Sequence, residues 1–230
     1  MAYSIVANTA QDSADGNSVT TSGIDTTAAN LIAVFVAAET GGSNRTPSDS
    51  QGNTWTAIGS DLNDGGIAGR WWYKAAPTTN AAHTFSITGT GNFCSIWVVA
   101  VSGAAASPLD QSNGATALAS TSLATGSITP TENDELILAA IACQQNQSGG
   151  ISVDAGMVEL NEINAAPNGE NGLSAYVIQA SAAAINPTFA FSASDVVAQI
   201  VSFKAASASG GFSINMFPIR PNAFAPGLAR

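Results

Sequence analysis

The chain has 230 residues, enough for one large β domain or two small ones. Charged residues make up only 10%, and sixteen acids face six bases for a formal charge of −10, so nucleic acid and anionic membranes are poor partners for the fold as a whole. Apolar residues, at 45%, suffice for a packed core and leave the surface to Ser, Thr, Asn, Gln, Gly and Ala.

No apolar run reaches the ~18 residues of a membrane-spanning helix. The opening MAYSIVANTAQDS has neither the basic start nor the apolar stretch of a signal peptide. Sparse charge, with lysine only at Lys74 and Lys204, suits a protein outside a cytosol or inside an assembly.

In chain order, residues 2–8 read as a short strand and 9–18 as a polar loop with Asp-Gly and Gly-Asn turn chemistry. A short strand over 19–24 precedes NLIAVFVAAE (30–39). Its length, its Val, Ile and Phe content and its flanking turn residues favour strand over helix. Turn formers over 40–53 deliver Thr54, Trp55 and Thr56 into another strand. In RWWYKA (70–75), Arg70, Trp72 and Lys74 alternate with Trp71, Tyr73 and Ala75, one face charged and aromatic, the other apolar. Residues 84–88 alternate with one wet face, whereas 93–102 are apolar on both. Residues 103–118 read as a connecting loop. DELILAAIAC (134–143) is a strong strand, MVELNEI (157–163) alternates, and 172–206 echo 69–103.

The echo extends beyond one segment. Tyr73 falls on Tyr176 at an offset of 103, Thr84-Phe85 on Thr188-Phe189 at 104, and Val98-Val99 on Ile200-Val201 at 102. This pattern predicts an all-β fold, a large jelly-roll-like β-sandwich over 1–206 with pseudo-repeats at about 19–103 and 123–206, built by internal duplication. Two separate small sandwiches are the competing outcome. Apolarity on both faces of 30–39, 93–102 and 134–143 points to cover from loops, from the tail or from another subunit, and so towards an oligomer. Cys94 and Cys143 read as two buried free thiols, or as a disulfide if their strands are neighbours.

Residues 207–230 differ. Gly210-Gly211 forms a joint, after which Phe212, Ile214, Met216, Phe217, Ile219 and Phe224 are spaced by Pro218, Pro221 and Pro226. Proline excludes regular helix or a central strand, so this is an extended arm. With Arg220 and Arg230 it is locally basic in an acidic protein. It folds back on its own sandwich or docks on a neighbour by groove filling or strand addition.

Catalytic signals are thin. His83 is the one histidine, without partner motifs, and reads as a surface or edge residue. Glu132, Asp134 and Glu135 cluster before a strand, where carboxylate pairs can do glycosidase chemistry, but such patches are commonly solvated strand ends. Asp12, Asp15, Asp49, Asp61 and Asp64 lie in loops that calcium could use, though none matches an EF-hand; no other cofactor is expected. Of the four tryptophans, Trp72 with Arg70 on one strand face is the best candidate for a glycan platform.

SDSQGNTW (48–55), RWWYK (70–74), HTFSIT (83–88) and the following SIWVVAVSG together resemble a recurrent β-sandwich domain of tailed-phage structural proteins and related bacterial surface proteins. The resemblance covers about residues 3–205 and implies no catalytic site. It implies a non-enzymatic virion protein, of capsid decoration or tail appendage type, with other virion proteins and its own copies as partners. The arm would be the anchor. The alternative is an extracellular or cell-surface adhesion module binding a surface glycan.

Overall fold

β-Branched and aromatic residues favour strands over most of the chain, and among the described residues no helix occurs. The structure is a computed structural model that describes residues 2–13, 18–39, 45–88, 93–164 and 170–207. The strands are β1 (Ser4–Asp12), β2 (Ser18–Thr20), β3 (Leu31–Glu39), β4 (Ser48–Asp49), β5 (Thr56–Ala57), β6 (Leu62–Asn63), β7 (Ile67–Ala75) and β8 (Phe85–Thr88), then β9 (Cys94–Ser102), β10 (Ala104–Ala124), β11 (Glu135–Cys143), β12 (Ser152–Val153), β13 (Val158–Ile163), β14 (Asn171–Gln179) and β15 (Thr188–Ala205).

Two large antiparallel sheets take one half of the chain each. The first runs β1-β9-β3-β7-β5, with β6 also on β7; the second runs β10-β15-β11-β14-β13, with β12 also on β15. Strand for strand the order is the same. The residues that echo in sequence also share faces: Tyr73 and Tyr176 both pack against the seam between the sheets, as do Val99 and Val201. Turn details repeat too. Ser48 and Asp49 pair with Ser86 and Phe85, and Ser152 and Val153 pair with Ala190 and Phe189.

The main core lies in that seam. Leu31, Phe35, Trp71 and Trp97 of the first sheet meet Leu136, Leu138, Val201 and Phe203 of the second. Phe35 sits between the rings of Trp71 and Trp97, at 5.3 and 5.8 Å between centroids. Gly172 makes room for Trp97, since a Cβ there would lie 2.7 Å from its ring. The halves therefore share one core, and the molecule is a β-sandwich.

The outer faces are covered by the chain itself. A third sheet, β2-β8-β4, lies over the first and supplies Val19, Phe85 and Ile87 to a cluster with Ile32, Val34, Ile96 and Val98. Over the second sheet, Ile128, Ile151, Met157, Ile185 and Phe189 close on Ile137, Ile141 and Ile200. Intramolecular layers thus explain the doubly apolar strands without another subunit. Cys94 and Cys143 are buried free thiols on different sheets.

One segment departs from expectation. Residues 103–118 are not a connecting loop: after a tight turn at Gly103 (φ 97°) the chain enters β10, 21 residues long, antiparallel to β15. Its AAASPLDQSNGATALASTSLA has few large apolar residues and no clean alternation, because an edge strand with register shifts buries little side-chain surface. Its strand state comes from backbone pairing with β15.

One buried side chain ties the sheets together through hydrogen bonds. Gln199, on β15, accepts the Trp71 backbone N–H (2.6 Å) and donates to Ile58 O (3.1 Å), while Trp71 Nε1 donates to Gln199 O (3.2 Å). β5 is too short to pair the length of β7, so the side chain completes the ladder from the opposite layer. Gln199→Leu is expected to cost about 2–4 kcal/mol by stranding a buried donor and acceptor. Urea unfolding should show that loss in a single transition, and limited proteolysis should not release two separately stable halves.

Candidate functional site

The SDSQGNTW stretch forms a structural node. Asp49 Oδ1 accepts the N–H groups of Gln51 (2.7 Å) and Asn53 (3.2 Å), and Gly52 takes φ 69° to close the turn. Ser50 exchanges bonds with Thr84, and Asn53 with Thr78 through both ends of its amide. Trp55 is then delivered against Phe85, 6.1 Å between ring centroids.

His83 is at the centre of this node, not at the surface. It is fully buried, its ring stacked on Phe85 at 4.3 Å. Thr26 Oγ1 lies 2.9 Å from Nδ1, and Asp49 Oδ1 lies 3.3 Å from Nε2 without hydrogen-bond alignment. A hydroxyl, an imidazole and a carboxylate in contact have the composition of a hydrolytic triad. Here Thr26 is also bound to the Asn80 backbone, and all three side chains are sealed from solvent, so the group joins three loops and meets no substrate. Period-two alternation over 84–88 carries no sign of this, because the residues that enclose His83, Thr26 and Asp49, are distant in the chain. At the offset of 104 that relates the two turns, Asp49 and His83 fall on Val153 and Pro187; the polar node belongs to the first half alone.

Trp71 and Trp72 divide as their alternation predicts: Trp71 is fully buried in the seam, as is Trp97, and Trp55 is nearly so in the outer cluster. Trp72 is half-buried, with the Arg70 guanidinium 5.4 Å over its ring. Arg70 is held by the carbonyls of Ile58 and Gly59. Together with Thr46 and the Arg45–Asp61 ion pair they line a cleft of about 160 Å³, and Trp72 Nε1 has no partner. The structure thus brings Arg70 and Trp72 together, but the cation covers one face of the ring that a sugar would use.

Glu132, Asp134 and Glu135 do not act as one group. Glu132 and Asp134 line a cleft of about 440 Å³ beside Ile178, next to where the described chain ends at 205–207. Glu135 is fully buried, and burial pushes its carboxyl above the usual range. Burial also opposes ionisation of Asp110, yet the Thr131 N–H and hydroxyl, with Lys204, hold it below its usual range. Asp110 carries no signal in the sequence, because β10, which holds it, lacks the alternation of a strand.

The aspartates considered for calcium are dispersed. Asp49 serves the His83 node, Asp61 pairs with Arg45, and Asp64 Oδ1 caps the N–H groups of Gly66 and Ile67. Asp12 ends β1, and Asp15 lies outside the described residues. Among the described residues no group of three or more His, Cys, Asp or Glu side chains could hold a metal. The arm residues Phe212, Ile214, Met216, Phe217, Ile219, Arg220, Phe224 and Arg230 also lie outside the described residues.

Glu170, which precedes β14, carries the largest testable electrostatic signature. It is 2% exposed, and burial, then Glu39 and Asp64, push its carboxyl up to about 8. A folded value above the unfolded one means the folded state binds the extra proton. Stability from this group is full below pH ~4.5 and is lost as pH rises through about 8. Glu170→Gln should flatten that slope, worth roughly 3–5 kcal/mol across the window, in urea unfolding repeated from pH 4 to 9.

No family model, curated protein or solved structure matches the chain.

Proposed function

We propose that this protein is a non-enzymatic structural component of a virus particle, a capsid decoration or tail protein, that docks through the arm at 212–230. The observation that carries this reading is the surface of the sandwich. From residue 111 to 131 there is no charged side chain, and most of that stretch is the edge strand β10. Soluble monomers guard long edges with charge; an assembling subunit has reason to leave one open. The sequence stretch behind the phage resemblance agrees, because its polar residues build a turn rather than a reaction centre. The apolar arm with Arg220 and Arg230 supplies the anchor.

A second reading follows from the Trp72 cleft, where the indole and the neighbouring Arg45, Thr46 and Asp61 line a surface that a sugar could meet. In that case glycan-array binding is lost on Trp72→Ala, with the fold unchanged.

Deleting 212–230 tests the leading proposal. Incorporation into particles should disappear while the far-ultraviolet spectrum and unfolding transition stay as in the parent. Undiminished incorporation would exclude the arm as anchor.

A further inference from the structure

We infer that the outer edge of β10 at residues 112–117 receives residues 212–217 of a second copy as an added antiparallel strand. This rests on the proposed role of the arm and names the surface it docks on.

The first argument is how the sheet edges are protected. β5 and β6 have two residues each, and β13 carries Glu159 and Glu162 within six residues. β1 is tied to β13 through Asn161 Nδ2 donating to Asn8 Oδ1. Short edges, charged edges and covered edges are the usual protections. β10 is neither short nor charged over 112–117; at its start the Asn113 amide donates to Ser127 O (3.0 Å) and accepts the Gly114 N–H (2.8 Å), which leaves 115–117 as the uncovered part. It pairs with β15 on one side, from Ser112↔Val201 to Ala117↔Val196 without a shift, and ends its sheet on the other. Just beyond, Leu118 is 66% exposed, the most exposed large apolar side chain among the described residues. The Ala119 bulge (φ 47°), where Asp195 accepts the Ala119 N–H, closes the regular stretch.

The second argument is the fit of the arm. FSINMF alternates, with Phe212, Ile214 and Met216 on one face of an extended chain. Pro218 stops the strand after six residues, matching the six of 112–117. No charge occurs between 205 and 219, so the arm and the edge are matched in lacking it.

The third argument is direction, and it selects a second copy. Ala205 pairs with Ala104, so the chain leaves β15 at the start of β10. Its own arm would have to run parallel to β10, and parallel neighbours need a connection of about a dozen residues. Only 206–211 are available. A neighbour's arm meets no such restriction and can pair antiparallel. Donor and acceptor surfaces differ, so association is head-to-tail and continues beyond two copies.

The test uses the full chain in analytical ultracentrifugation, with circular dichroism to confirm folding. The parent should self-associate at micromolar concentration. Thr116→Lys with Leu118→Lys charges two exposed edge positions, and Ile214→Pro breaks the donor; each should weaken association roughly tenfold or more, ~1.4 kcal/mol. Mixing the two variants should restore a complex that stops at one copy of each, because one retains the arm and the other the edge. A monomeric parent, undiminished association of either variant, or failure of the mixture to pair would overturn the inference. If self-association is absent but deletion of 212–230 still abolishes incorporation, the arm docks on a different protein and the proposed function stands without this contact.

Discussion

Two layers built from different halves of one chain must be held in register, and the contact at Gln199 does this. Apolar packing of Phe35, Trp71 and Trp97 against Val201 and Phe203 is strong but tolerant of sliding. The amide of Gln199 is not: its partners are the Trp71 N–H and the Ile58 carbonyl, both fixed on the opposite layer. A buried polar group of this kind is satisfied in one alignment only, which gives the seam its specificity. The clusters above and below inherit that alignment, since each packs on the outer face of a sheet whose inner face is already placed.

The likeness of the halves makes their differences informative. Gly52 and Gly156 close equivalent turns with φ 69° and 71°. Thr84 N–H is accepted by Ser50 Oγ and Thr188 N–H by Asp154 Oδ1. Around that shared frame, the first half has a buried carboxylate and imidazole where the second has Val153 and Pro187. It also carries all four tryptophans. Thr26 reaches the imidazole from a separate loop, and Gln51 and Asn53 of the same turn donate to Asp49 Oδ1, while Asp49 Oδ2 and His83 Nε2 have no hydrogen-bond partner among the described residues.

Much of this was legible before the structure. The apolar strands over 30–39, 93–102 and 134–143 follow from their composition and flanking turns, and Trp71 lies on the apolar face that the alternation of 70–75 marks out. What could not be read came from pairing at a distance. β10 has almost no side-chain signal, so residues 103–118 resembled a loop until β15 was seen beside them. His83 is buried against Thr26 and Asp49, which come from segments far from it in the chain and which no local pattern connects to it. Apolarity on both faces was read correctly, but its cover proved to be segments of the same chain. Asp110 was hidden with the strand that carries it.

The position of β10 also has a consequence for synthesis. It follows β9 after a single glycine turn, yet its partner β15 spans Thr188–Ala205, more than sixty residues after β10 ends. The strands of the first sheet have all emerged by Ser102, while the layer that covers their inner face is still being made. The nascent chain therefore presents a bare aromatic surface, Trp71 and Trp97 included, for the time needed to translate the second half. Growth rate of the chain, or a chaperone that binds such surfaces, sets how often the sandwich closes on its own second layer.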